Sequence, residues 1–212
     1  MVEAHANQKR FVSEYYAGIH IYSVKRSVIV GIEGMPGSGK STQASMLERR
    51  LLDIGFIAKN VHRSSIHNPS SSSIAEYAIG YAIDFVKTAA LHKQNEVLIL
   101  QHTPLFFNYS LGVLIGSGAM PGNALLGMLE LFIKPDIVFY LDVPQLIRIE
   151  RMHKREAGID RLHEKLAAKD DNEFIEKLKA HYQGRFTVLD GTKSAEEINR
   201  HMLAMVGALL RK

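Results

Sequence analysis

The chain has 212 residues, a mass of 23.7 kDa and no cysteine. That length corresponds to one domain, and 46% apolar with 23% charged residues excludes a disordered chain. Lys plus Arg is 26 against 22 for Asp plus Glu, a balance of +4 that is too small to specify nucleic acid and suits a small anionic ligand. The absence of cysteine excludes disulfides, Cys-ligated metals and a thiol nucleophile.

Residues 1–26 carry Glu3, His5, Lys9, Arg10, Glu14, Lys25 and Arg26, with no apolar run of signal-peptide length, and read as an N-terminal extension. Ser27–Glu33 (SVIVGIE) reads as a buried strand, and Gly34–Ser41 as a glycine-rich turn. Thr42–Asp53 has helical spacing with Met46, Leu47, Leu51 and Leu52 on one face, and Gly55 is a stop signal. Phe56–His62 reads as a second strand, Ser64–Ser73 as a polar loop, Ile74–His92 as a helix and Glu96–Leu100 as a third strand.

Between Val97 and Ile133 the only full charge is Glu130. Gln101, His102, Pro104, Asn108, Gly116–Gly118 and Pro121–Asn123 interrupt this region, so it reads as buried or partner-covered rather than membrane-spanning. Two helices broken around Gly118–Gly122 are expected there, with Pro135 ending the second. Asp136–Asp142 (DIVFYLD) is a fourth strand, followed by a helix over Pro144–Glu156 and another over Asp170–Tyr182. Phe186–Asp190 is a fifth strand, and Ser194–Leu210 closes the chain as a helix with Glu196 and Glu197 in its first turn. Five strands alternating with helices predict an α/β fold: a parallel sheet with helices on both faces and its ligand at the carboxyl ends of the strands.

The turn Gly34-Met35-Pro36-Gly37-Ser38-Gly39-Lys40-Ser41 fits G-x-x-x-x-G-K-[ST], and it has a strand before it and an amphipathic helix after it. Glycines let main-chain N–H groups turn inward around a polyphosphate, and the helix N-terminus adds its positive end. Lys40 supplies a point charge to phosphate, and Ser41 offers a hydroxyl to Mg²⁺. Gly34 through Thr42 are therefore the candidate nucleotide-binding residues. No guanine-reading Asn-Lys-x-Asp is present. Farther on, Arg148, Arg151, Lys154 and Arg155 crowd the helix after strand four, with Arg148, Arg151 and Arg155 on one face. Such a helix is either a solvated surface with ion pairs or a lid that brings arginines to the transferring phosphoryl group.

At these residues the sequence resembles the thymidylate kinase family of nucleoside monophosphate kinases. The likeness runs in order from Ile32-Glu33-Gly34 into Gly37-Ser38-Gly39-Lys40-Ser41-Thr42-Gln43, then through Lys134-Pro135-Asp136 and Tyr140-Leu141-Asp142-Val143. It continues with Glu150-Arg151, Lys154-Arg155, Asp160-Arg161-Leu162 and Val188-Leu189-Asp190, covering about residues 27–210. The resemblance implies a three-layer P-loop fold with a five-stranded parallel sheet, a domain over 27–212 and a basic lid at about 148–165. It implies transfer of a phosphoryl group from ATP, with Mg²⁺, to a small-molecule acceptor in the cytoplasm, without nucleic acid or membrane, and homodimers are common in the family. Lys40 and Ser41 would hold ATP and the metal, and Arg151 and Arg155 would be the lid arginines. Glu33 would either orient a metal-bound water or pair locally at its strand end.

The acceptor side departs from the family pattern. Pro36 stands where the family loop carries an Asp that contacts the sugar, and Gln101-His102 replaces an Asp-Arg pair at the metal and the acceptor phosphate. A second family arginine falls near Gly80, while Arg63 keeps the place of the arginine after strand two. A buried phosphate dianion needs charged partners, which His and Gln supply poorly. Arg63, Gln101, His102 and Phe106 are the candidate acceptor residues. Phe106, Phe107 and Tyr109 read either as core or as the wall of a base pocket. Three readings stay open: a nucleotide kinase, a nucleoside kinase with a neutral acceptor, and a nucleotide-binding regulator or partner with impaired catalysis.

Overall fold

The computed structural model describes residues 27–61, 86–88, 90–91, 95–115, 130, 133–154, 166 and 171–211. The N-terminal extension, the polar loop at 64–73, most of the second middle helix, and the expected lid beyond residue 154 lie outside these residues, as do Arg63, Gly80 and Arg155.

The strands are β1 (Val28–Glu33), β2 (Ala58–Val61), β3 (Val97–Leu100), β4 (Ile137–Asp142) and β5 (Phe186–Asp190). They form one five-stranded parallel sheet in the order β2-β3-β1-β4-β5. The helices are α1 (Lys40–Asp53), α2 (Pro104–Ile115), α3 (Gln145–His153), α4 (Asp171–His181) and α5 (Ala195–Leu210). β1 is central, with Val30 opposite Ile99 of β3 on one side and Ile137 of β4 on the other. All six of its residues are buried, which is why it reads as an unbroken apolar run.

The period of two divides the core. Val28, Val30 and Ile32 pack with Leu47 and Leu51 of α1 and Ile198, Met202 and Val206 of α5. Ile29 belongs to the opposite face, with Phe106 and Phe107 of α2 and Phe174 and Leu178 of α4. Each fully buried side chain of this kind stabilises the fold by about 1.5–3 kcal/mol before chain entropy is set against it.

One expected helix face is rotated. α1 buries Gln43, Ala44, Leu47 and Leu51, while Leu52 is 51% exposed and Met46 half-buried. A polar residue can sit inside because α5 satisfies it: Asn199 Nδ2 donates to Gln43 O and Oε1 at 3.0 and 3.1 Å, and Gln43 Nε2 donates to Ala195 O at 3.1 Å. α1 also begins at Lys40, two residues before the expected start, because Gly39 is its N-cap. α3 ends at His153 rather than Glu156, and Pro144 is its N-cap rather than its first turn. α5 matches its reading, with the Ser194 hydroxyl accepting from Glu197 N at 3.2 Å.

The chain leaves β1 toward β2 and leaves β4 toward β5. The adjacent carboxyl ends of β1 and β4 therefore flank a crevice, where open α/β sheets take ligands. The glycine-rich turn and α3 meet there.

Candidate phosphate-binding site

Residues 34–39 carry the chain from the end of β1 into α1. Met35, fully buried, anchors the turn in the core. Gly37 has φ 84°, and a Cβ built on it would lie 2.4 Å from the Arg148 carbonyl oxygen. Only glycine permits both that backbone and that approach to α3. Gly39 has φ 97° and nothing within 4 Å of its own virtual Cβ, so the turn is open on that side.

The start of α1 is prepared for an anion. Its N-cap gives no side-chain hydrogen bond, and no acidic residue sits in its first turn. The first-turn N–H groups thus have no built-in acceptor from the cap, unlike those of α5. Ser38 is 4% exposed and its buried Oγ has no hydrogen-bond partner. Lys40 folds back over the turn, Nζ donating to Gly34 O at 2.6 Å and Met35 O at 3.2 Å, and lies 5.8 Å from the Phe106 ring centre. A cation held at the mouth of a ring of amides fits a polyphosphate. Thr42 is exposed beside Ser41.

Beyond Lys40 the groups are neutral. Ser41 Oγ donates to Gln101 Oε1 at 2.8 Å, and Gln101 Nε2 donates to Asn60 Oδ1 at 3.0 Å. Ser41 Oγ and Gln101 Oε1 are hard oxygen donors of the kind Mg²⁺ accepts, so these residues fit the ion, with its charge balanced by phosphate. Among the described residues no cluster of three or more His, Asp or Glu side chains stands ready to hold a metal alone. His102 is half-buried and stacks on Phe106, with ring centres 4.6 Å apart. Phe106 itself is core, 3% exposed and edge-on to Phe174 at 5.5 Å. It therefore serves as both packing and a shelf between His102 and Lys40.

Glu33 pairs locally. Its side chain is fully buried, Oε1 accepts from Thr103 N at 2.5 Å, and Oε2 has no hydrogen-bond partner. Burial raises its carboxyl from 4.5 to about 8, against the opposing pull of the Thr103 contacts and of Lys40. The acid is thus mostly protonated at neutral pH.

Of the residues expected in a lid, Arg151 is half-buried and donates from Nη2 to Gly191 O, a long contact of 3.4 Å, in the turn between β5 and α5. Arg148 faces inward: it is 2% exposed and donates from Nε to Val143 O at 3.0 Å. The structure therefore brings Gly34 to Thr42, Gln101, His102 and Phe106 to one end of the sheet, with Arg151 on the β5 side. Asn60 and Thr103 were missed from sequence. Their one signal was position, polar residues at or just beyond the carboxyl ends of apolar strands.

A model of the AAA domain matches residues 30–176. The thymidylate kinase of Thermosipho melanesiensis is 25% identical over 213 residues, spanning 86% of this chain and 99% of the relative. That of Fervidobacterium nodosum is 27% identical over 209 residues, spanning 86% and 100%. Among solved structures, a deoxyadenosine kinase from M. mycoides with the products dCMP and a flexible dCDP bound superposes with a TM-score of 0.58. It is 18% identical, over 86% of this chain and 100% of that one.

Proposed function

We propose that this chain, which belongs to the AAA-domain family and is a thymidylate kinase-like phosphotransferase, transfers a phosphoryl group from ATP, with Mg²⁺, to a nucleotide or nucleoside. One observation carries this reading: Lys40 Nζ lies over an open glycine turn that feeds an uncapped helix N-terminus.

Each group has a task in that reaction. The turn amides and the first N–H groups of α1 bind the polyphosphate oxygens, and Lys40 exchanges its Gly34 and Met35 carbonyls for phosphate. Ser41 is the residue that would hold Mg²⁺, which supplies charge neutralisation across the phosphates when bound. Arg151 would leave its long contact with Gly191 to meet charge that develops in the transition state. Arg155 and the rest of the lid at about 148–165 belong to the same proposal.

The acceptor end favours a neutral hydroxyl compound. Gln101 and His102 offer hydrogen bonds but no permanent charge, which suits a nucleoside better than a monophosphate dianion. Competition between unphosphorylated nucleosides and monophosphates for the pocket separates the two acceptors. No helix among the described residues is long and apolar enough to cross a membrane.

The test of the whole reading is Lys40→Ala. It removes one charge-assisted contact and is expected to weaken Mg-ATP about tenfold or more by titration calorimetry, with loss of ADP release. Unchanged affinity would remove the assignment. Tight ATP binding with no turnover on a broad acceptor panel would favour the regulator reading instead.

A further inference from the structure

The hydroxyl beside Lys40 is aimed at an amide, and that amide is fixed. Ser41 Oγ donates to Gln101 Oε1, and Gln101 Nε2 donates to Asn60 Oδ1. The Asn60 main chain is tied in turn, its N–H donating to Glu48 Oε1 at 2.9 Å. Gln101 is 8% exposed and Asn60 2% exposed, so neither amide trades these partners cheaply for water. In this arrangement the donors run from the phosphate turn to the sheet edge, and whichever way the two amides turn, the groups facing Ser41 are uncharged.

We propose that Gln101, held by Asn60, forms a neutral wall on the metal side of the nucleotide site, so that nucleotide binds nearly as well without a divalent cation as with one. This rests on the reading of residues 34–42 as a nucleotide site. The physical reason is charge. A carboxylate at position 101 would repel the polyphosphate until a cation screened the two, which makes nucleotide and metal binding interdependent. An amide carries no charge to repel phosphate, and its oxygen draws the cation far more weakly than a carboxylate would, so the two equilibria largely separate. Glu33, the acid one residue before the turn, does not supply the missing charge, since it is buried against Thr103 and protonated near neutrality.

The test uses the full chain, ADP, and either Mg²⁺ or excess EDTA in calorimetry, followed by Mn²⁺ titration of the ADP complex by electron paramagnetic resonance. For the wild type the ADP dissociation constants in Mg²⁺ and EDTA are expected to agree within about threefold. Gln101→Glu is isosteric, and Asn60 can turn its NH₂ toward the new carboxylate. This variant is expected to lose about tenfold in ADP affinity in EDTA and to bind Mn²⁺ about tenfold more tightly once ADP is in place. A wild type that binds ADP in Mg²⁺ but loses more than about threefold in EDTA overturns the proposal and leaves the nucleotide site standing. So does a folded Gln101→Glu protein whose ADP complex holds Mn²⁺ no better than wild type. Absence of ADP binding in either buffer removes the nucleotide site and the proposal together. The wild-type comparison needs no substitution, so it decides the matter even if the variant does not fold.

Discussion

The two ends of the proposed site are built from different materials. On the phosphate side the work falls to main-chain amides, three glycines at positive φ and the Lys40 ammonium. On the proposed acceptor side it falls to groups that pair with one another: Gln101 with Asn60, Glu33 with the Thr103 N–H, and half-buried His102 stacked on Phe106. A cradle of amides needs only local chain geometry, so one short segment encodes it. The Gln101–Asn60 and Glu33–Thr103 pairs join residues far apart in sequence, and the sheet register that aligns Asn60 with Ile99 and Val61 with Leu100 sets the first of them. Under the proposed function, this difference predicts that affinity for phosphate and choice of acceptor are separable in this fold.

The largest effect that would sharpen this contrast belongs to Glu33. Its folded pKa of about 8 lies above the unfolded value near 4.5, so the folded chain keeps a proton that the unfolded chain releases between those limits. The stability tied to that proton is complete below about pH 4.5, falls as pH rises, and is gone above about pH 8. The span corresponds to roughly 5 kcal/mol. Glu33→Gln keeps an acceptor for Thr103 N and cannot ionise. Urea unfolding at pH 5, 7 and 9 is expected to show the wild type losing stability relative to this variant along the series. Parallel pH profiles would mean that Glu33 ionises freely in the fold.

The second effect strikes the phosphate side. Gly37→Ala forces a Cβ against the Arg148 carbonyl at a φ that L residues rarely adopt. About 3 kcal/mol of destabilisation is expected, with loss of ADP binding beyond what unfolding explains. Equal loss at the acceptor side, seen as weakened nucleoside competition in whatever ADP-bound fraction remains, would break the claim that the two ends are separable.

How much of this was legible from the residues follows the same division. β5 was readable to the residue, Phe186–Asp190, because its apolar run is bounded by a turn on each side. The phosphate turn was readable because its spacing is contiguous, from Gly34 to Ser41. The face of α1 was misplaced, since nothing local shows that Asn199, 156 residues later, would satisfy Gln43. Asn60 and Thr103 were illegible for that reason too: their partners Gln101 and Glu33 lie 41 and 70 residues away. Phe106 was readable as aromatic near the pocket, but only packing shows that one ring serves core and site together.

The smallest effect tests the arginine that bridges toward β5. The contact of Arg151 with Gly191 O is long and half-exposed, so its loss costs the resting fold under about 0.5 kcal/mol. If the guanidinium is instead needed where charge builds on the transferring group, Arg151→Ala lowers kcat by about fivefold, near 1 kcal/mol, while ATP affinity and melting temperature barely move. Equal losses in kcat and in ATP affinity would place Arg151 in the ground state, as part of the phosphate cradle. Binding and chemistry would then share the same groups, and the distinction between the two ends of the site would have to be drawn at Gln101 rather than at the lid.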